Sequence, residues 1–283
     1  MSESWEWDET LYAQSAGYYV CGRLAYPRQL AAQIVSATGL ASDSRALDVG
    51  CGPGSLTLLL APLVGQIVGI DADEGMIAQA RLVADQAGIG NVAWRRLRGE
   101  QLPADLGDFD LVTFAQSLHW MKRVEVLGLV RTMLLAGGAS VHVHATTNRG
   151  DESIDPLPRP RPPYEEIDAL VRSYLGPMRR AGRSVRPSFA GGDEAEVYRA
   201  AGFDGPEHFT VSRGDVIERS IDQVVAATYS LSSSTPSLLA DRRAEFETEL
   251  RTLLQDASDA DDRFCERPRD IEFDVWRPQQ HRS

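Results

Sequence analysis

Leu47-Asp48-Val49-Gly50-Cys51-Gly52-Pro53-Gly54 decides the fold of this chain. The apolar run from Ala46 to Val49 is short and stops at a glycine cluster, as expected of a strand buried in a parallel sheet. Glycines placed directly after such a strand let the backbone approach a ligand where any Cβ would collide. Ser55 to Ala61 reads as the next helix, ended at Pro62, and its free N–H groups would point at whatever occupies the turn. A second signal lies 21 residues beyond Gly50, where Asp71 closes the next strand, Gln66 to Ile70. Dinucleotide folds place a carboxylate on the ribose hydroxyls at an offset of about 20 residues. A tight turn and a capping aspartate are the plain alternatives, but together the two features favour a bound nucleoside.

Outward from this point, strands and helices alternate. Asp73 caps a helix with Met76, Ile77, Ala80, Leu82 and Val83 at apolar positions, closed by Gly88. Val92 to Leu97 and Phe109 to Phe114 read as strands, Val124 to Leu135 as a helix, and Gly137-Gly138 as a turn into a fifth strand, Ala139 to Ala145. Such spacing predicts an α/β fold with a Rossmann-like, doubly wound, mostly parallel sheet. Before it, an aromatic segment (Trp5, Trp7, Tyr12, Tyr18, Tyr19, Tyr26) leads into a helix from Pro27 to Gly39. Beyond Gly150, Asp155 to Pro163 holds five prolines and reads as a stiff linker. Helices are then predicted over Tyr164–Leu175, Asp193–Ala201, Asp215–Tyr229 and Pro236–Leu254, with strands near His208–Val211 and over Ile271–Trp276. The expected organisation is an N-terminal helical and aromatic lid over 1–44, a cofactor-binding core over 45–150, and helical cap insertions with the final sheet strands over 151–283.

Bulk properties narrow the function. The 283 residues are 43% hydrophobic and 25% charged, an ordinary globular composition. The first ten residues hold two tryptophans and four acids, unlike a secretory leader, and no apolar run approaches the roughly 20 residues of a membrane span. Cys21, Cys51 and Cys265 are odd in number and far apart, which argues against a disulfide framework. A cytoplasmic protein with no membrane partner is expected. The net charge of −12 repels a phosphate backbone and argues against a nucleic-acid substrate. A homodimer is allowed for, though no residue pattern demands one.

Four motifs in order resemble a class I S-adenosylmethionine-dependent methyltransferase of the small-molecule type. They are Ala46 to Gly54, Val68-Gly69-Ile70-Asp71, Gly99-Glu100-Gln101-Leu102-Pro103, and Phe109 to Trp120, whose Leu118-His119-Trp120 ending is similar to the trans-aconitate methyltransferase-like branch. The resemblance implies a seven-stranded sheet, S-adenosylmethionine as cofactor and a small-molecule acceptor methylated at O, N or C. It also implies roles. Asp48 would orient the loop and the methionine amine, and Gly50, Cys51 and Gly52 would face the methionine. Asp71 would hold the ribose, while Ala72 and Met76 pack on adenine and Gly99 and Glu100 meet its edge. Ala115 and Gln116 would lie beside the amine, and Tyr18 and Arg23 would close over the carboxylate. The fourth strand lacks the Asn-Pro-Pro-Tyr of enzymes that methylate amide or nucleobase nitrogens, and Arg98-Gly99-Glu100 lacks the aspartate often found before the glutamate.

Methyl transfer from a sulfonium is an in-line displacement, so the protein mainly has to align the reactants. A hydroxyl acceptor gains from a base, and histidine suits neutral pH. His119, after the fourth strand, and His144, at the end of the fifth, are the candidates; a structural imidazole is the plainer role for each. His142 and His144 share one strand face, but with no third ligand evident in sequence, no metal is expected. Trp120, Tyr164 and the N-terminal aromatics would line an apolar pocket or simply pack under the cap. Seven arginines between Arg159 and Arg186 form either a solvated lid face or a clamp for an acidic substrate. Two other readings stay open: a cofactor-binding protein that has lost methyl transfer, and a nicotinamide dehydrogenase. The latter is disfavoured because Gly50, Gly52 and Gly54 follow GxGxG without the usual third-glycine spacing.

Overall fold

Ala46, Leu47 and Val49 are fully buried, since a central strand covered on both faces must be apolar almost throughout. The computed structural model describes residues 8–152, 155–178, 180–181, 184–185, 194–212 and 214–279. Its main sheet has seven strands: β1 (Arg45–Val49), β2 (Gln66–Asp71), β3 (Val92–Arg96), β4 (Phe109–Ala115), β5 (Leu134–His144), β6 (Phe203–Val211) and β7 (Ile271–Pro278). They lie in the order β3-β2-β1-β4-β5-β7-β6. β1 to β5 are parallel, and β7 runs antiparallel to both β5 and β6. This is the Rossmann-like, mostly parallel sheet expected. Its strand order reverses between β1 and β4, so the loops at their carboxyl ends flank a crevice where such sheets take ligands.

Helices follow the strands where the sequence has caps. In α4 (Glu74–Ala87), Asp73 accepts from the Met76 N–H at 3.0 Å and Gly88 closes the C-terminus in the left-handed conformation. α5 (Arg123–Met133) covers one face of the sheet, contributing Val126, Leu127 and Val130 to the core there. α1 (Ala16–Gly22) and α2 (Arg28–Thr38) come from the N-terminal segment, and Leu30 and Ile34 of α2 enter the core on the other face. After β1 comes only a four-residue helix, α3 (Thr57–Leu60), followed by a 3-10 turn that contains Pro62. It is shorter than the predicted Ser55–Ala61 because the glycine turn extends to Leu56.

The C-terminal half departs more from expectation. α6 (Tyr164–Leu175) and α7 (Glu194–Ala200) form as read, although residue 193, expected to open α7, lies outside the described residues. The Asp215–Tyr229 helix begins late, as α8 (Ile221–Tyr229), because Ser220 and Gln223 form a capping box. Ile217–Ser220 instead pairs antiparallel with Arg263–Glu266, a ribbon the sequence did not announce. The Pro236–Leu254 helix is broken into α9 (Pro236–Leu239), a 3-10 turn and α10 (Arg243–Ala257), with Ala240 at φ 45°. Gly137-Gly138 does not separate a helix from a strand but lies inside β5, where its pairing with β4 shifts register.

α8 and α10 bury Val224, Tyr229, Phe246 and Leu250 in a cap core of their own. Arg219 and Glu266, 2% and 1% exposed, bind this cap to the rest of the chain. Their side chains pair at 2.9 Å, and Arg219 also donates to the carbonyls of Gly22 (2.6 Å) and Gln223 (2.8 Å). Glu266 accepts from the Gly150 N–H and the Tyr164 hydroxyl. The proline-rich stretch is tied down as well: the Pro160 carbonyl accepts from the Cys265 N–H at 2.9 Å. Gly22 is required where α1 meets α8, since a Cβ there would stand 2.2 Å from the Ala227 nitrogen.

Candidate functional site: a cleft at the sheet switch point

The loop after β1 is clasped to the end of β2. Gly50 and Cys51 both donate their N–H to the Ile70 carbonyl, at 2.8 and 2.9 Å. Gly50, Gly52 and Gly54 all have positive φ (69°, 54° and 86°), a conformation that costs L residues with a Cβ roughly 1–2 kcal/mol. Their surroundings differ. A Cβ on Gly50 would lie 2.4 Å from the Ser117 Cβ, whereas one on Gly52 meets nothing within 4 Å. Gly52 faces open space in a cleft of about 950 Å³, mouth included, lined by this loop and by the ends of β2, β3 and β4.

The acidic residues of the cleft are held by named donors. Asp71 accepts the Gly52 N–H on one oxygen and the Asp73 N–H on the other, each at 2.8 Å. Each oxygen keeps a lone pair for a further donor. Burial pushes its pKa up to about 6 against those two bonds, with Asp73 and Asp48 adding to the rise. Asp48 is fully buried and takes hydroxyl donors from Thr57 (2.6 Å) and from Thr113 (2.8 Å), its register partner on β4. Desolvation raises its pKa and the two hydroxyls oppose the rise. Glu100 accepts the Lys122 N–H at 2.9 Å. Gln116 has φ 59° and donates to the Val143 carbonyl at 3.3 Å. A non-glycine residue held in that region is strain of the kind that gathers at functional sites.

Among the expected cofactor residues, Arg23, Asp48, Gly50, Cys51, Gly52, Asp71, Ala72, Met76, Gly99, Glu100, Ala115 and Gln116 converge on this one cleft. Tyr18 does not, and that expectation is corrected. Its ring packs on Tyr229 at 5.0 Å and its hydroxyl accepts from Arg243. The turn of α1 sends Tyr19 toward the cleft instead, where Tyr12, Tyr26 and Trp120 join it. Arg23 lies over the Tyr19 ring and donates to Ser230 and Thr147, which fixes its guanidinium at the cleft wall. Sequence reading missed Leu97, Met121 and Thr147 in the lining. Thr147 follows β5, so the strand-end rule that found Ala115 would have found it too.

Neither candidate base is among the residues that line the cleft. His119 sits on a 3-10 turn with its ring against Trp120 (4.8 Å), close enough to His142 for a charge on one to disfavour a charge on the other. His144 points to the α7 face of the sheet, because alternate β5 residues share a face. There its Nε2 lies 3.1 Å from Asp274, a bond that raises its pKa despite desolvation. Burial lowers His142 to about 3. Tyr164 serves the Glu266 network and not the cleft. Arg159, for its part, is engaged with Asp259, Asp261 and Glu218. Arg179, Arg180, Arg183 and Arg186, the rest of the supposed clamp after Arg161 and Arg172, have side chains outside the described residues.

The strand order, the glycine loop and the carboxylate at the end of β2 together define a Rossmann-like domain of the class I methyltransferase type. Residues 46–138 match the family model described as a methyltransferase domain. Over 120 residues it is 33% identical to a ubiquinone biosynthesis O-methyltransferase of Acinetobacter baylyi, covering 41% of this chain and 49% of that protein. The chain thus spans about half the length of the curated relatives it matches. Among solved structures it resembles YcgJ of Bacillus subtilis (TM-score 0.51, 17% identity, 90% of this chain and 100% of that one). It also resembles the 4+2 cyclase SpnF (TM-score 0.51, 19% identity, 89% and 81%). At these identities the two structures speak for the fold alone. No helix among the described residues is long and apolar enough to cross a membrane.

Proposed function

We propose that this protein transfers a methyl group from S-adenosylmethionine to an O, N or C nucleophile of a small, largely apolar acceptor. One observation carries the reading: the aromatic wall of Tyr12, Tyr19, Tyr26 and Trp120 borders the same cleft as the glycine loop, Asp71 and Gln116. The residues fit the cofactor. Asp71 offers two free lone pairs for ribose hydroxyls, the bare Gly52 leaves room for the methionyl chain, and Met76 and Leu97 supply apolar contacts for adenine. Glu100 has one oxygen beyond its Lys122 bond for the adenine edge, and Arg23 brings a positive charge for the carboxylate. When bound, the cofactor supplies a sulfonium-activated methyl group.

The chain's own part is then alignment and exclusion of water. No histidine lines the cleft among the described residues, and burial drives the Tyr12 hydroxyl upward, away from the range of a base. That supports an acceptor whose nucleophile ionises readily by itself, such as an acidic phenol, an enol or a carboxylate. The net charge of −12 supports a metabolite over a nucleic acid, and the three free thiols suit a reducing, cytoplasmic compartment.

The same lack of an imidazole favours one other reading, in which the bound cofactor only organises a rearrangement; the fold shared with a 4+2 cyclase is compatible with it. Calorimetric titration with S-adenosylmethionine and S-adenosylhomocysteine, followed by incubation with methyl-labelled cofactor and a panel of such acceptors, decides between them. Label in the acceptor with one S-adenosylhomocysteine formed per product supports methyl transfer. Product without S-adenosylhomocysteine supports the rearrangement, and failure to bind either ligand overturns both.

A further inference from the structure

Away from the cleft, the β5–β7–β6 end of the sheet gathers three of the protein's five histidines, His142, His144 and His208. His142 and His144 share one face of β5. Asp274 on β7 is the register partner of His142 and also of His208 on β6. α7 lies over this face, and its first residue, Glu194, brings one carboxylate oxygen between the two imidazoles. Glu194 Oε2 lies 3.3 Å from His142 Nδ1 and 3.4 Å from His144 Nδ1. The candidate ligand atoms of the three residues all lie within 4.8 Å of one another.

These separations are long for hydrogen bonds between nitrogen and oxygen, which cluster at about 2.7–3.2 Å. They equal the edge of a tetrahedron around a centre whose bonds are about 2.0–2.1 Å, since that edge is roughly 3.3–3.4 Å. The outer contacts point the same way. Asp274 bonds His144 through Nε2 (3.1 Å), fixing the tautomer that leaves Nδ1 bare, and bonds His208 with its other oxygen at 2.8 Å. A carboxylate behind a histidine is the usual support of a metal-binding imidazole. His142 is 5% exposed at its side chain, while His144 and Glu194 are 32% and 37% exposed, so a cation can enter from the α7 side. We infer that His142, His144 and Glu194 form a site for a zinc-class divalent cation, with Asp274 as its outer support and one coordination position left for a fourth ligand. Two imidazoles and a carboxylate suit Zn²⁺ or Co²⁺ better than Mg²⁺ or Ca²⁺, which take oxygen ligands. Such a cation would clamp α7 to the edge of the sheet, independently of the cofactor cleft.

The test uses tag-free, full-length protein stripped with chelator, titrated with Zn²⁺ by calorimetry and with Co²⁺ by visible absorption. The expected result is one Zn²⁺ per chain, resistant to Mg²⁺, and the intense ligand-field bands of four-coordinate cobalt. Glu194→Gln should lose both, and Asp274→Asn should weaken Zn²⁺ binding by about 10–100-fold, with S-adenosylhomocysteine binding retained as the check on folding. Absence of stoichiometric Zn²⁺ binding by the wild-type protein overturns the inference, as does equal binding by folded Glu194→Gln. If Glu194→Gln does not fold, X-ray absorption of the wild-type zinc complex decides instead. Two imidazoles with carboxylate oxygen at about 2.0–2.2 Å support the site, and a shell containing sulfur or a single imidazole refutes it.

Discussion

Replacing Gly52 with alanine separates the folding role of the glycine loop from its binding role. At φ 54° an alanine carries the left-handed penalty of about 1–2 kcal/mol. Its methyl group meets no atom within 4 Å, so the ligand-free protein bears no further cost. For a chain of this size that lowers Tm by roughly 2–8 °C. With ligand present the methyl occupies space in the cleft, and overpacking of about 1–3 kcal/mol corresponds to a roughly 5- to 150-fold rise in Kd. Gly50→Ala is the internal control. It adds to the same strain a Cβ 2.4 Å from the Ser117 Cβ, and Ser117 cannot withdraw easily because its hydroxyl donates to the Val49 carbonyl at 2.5 Å. Gly50→Ala should therefore unfold at a distinctly lower temperature than Gly52→Ala. The assay is calorimetric titration with S-adenosylhomocysteine beside thermal unfolding followed by circular dichroism. A folded Gly52→Ala protein that binds with the wild-type Kd would refute the placement of the ligand beside the loop.

Other consequences follow from the same geometry. Because burial raises Asp71 to about 6 and ribose hydroxyls donate to its ionised form, S-adenosylhomocysteine affinity should be flat above pH 7. It should fall by nearly tenfold per unit below pH 6; a profile in Asp71→Asn with the same inflection would exclude Asp71 as its source. The sign for folding is opposite. Between the ordinary 3.8 and about 6, the folded state holds a proton that the unfolded state has lost, so Asp71's contribution makes the ligand-free protein less stable as pH rises through that window. Urea midpoints compared with Asp71→Asn isolate this contribution, and a wild-type excess rising with pH there would contradict it. Glu266→Gln leaves Arg219 charged and buried and should cost about 3–5 kcal/mol in chemical denaturation; a loss below about 1 kcal/mol would mean that the network holds little of the cap. His119→Asn should alter methyl transfer by less than about threefold, whereas a drop of about 10²–10⁴-fold would restore it as the base.

Features encoded within a few residues of a strand end were legible in sequence. The glycine loop, Asp71, Glu100 and Gln116 follow strands whose apolar runs are short and bounded, and a parallel sheet brings all such ends to one side. That is why residues scattered from 48 to 116 could be assigned to one cleft without coordinates. Which tyrosine lines the cleft was not legible. Tyr18 and Tyr19 are adjacent, and the choice depends on how α1 rotates as Gly22 settles against α8.

The fold and the gathering of strand-end residues at one cleft were thus determined by the sequence through local periodicity and turn chemistry, which act over about one element at a time. Tertiary structure alone decided the ribbon of Ile217–Ser220 with Arg263–Glu266, the buried Arg219–Glu266 pair and the meeting of Glu194 with His142 and His144. Each of these joins segments far apart in the chain, and no periodicity connects them. Burial of the cap and of the sheet face brings their side chains together, and only the packed molecule specifies which groups meet.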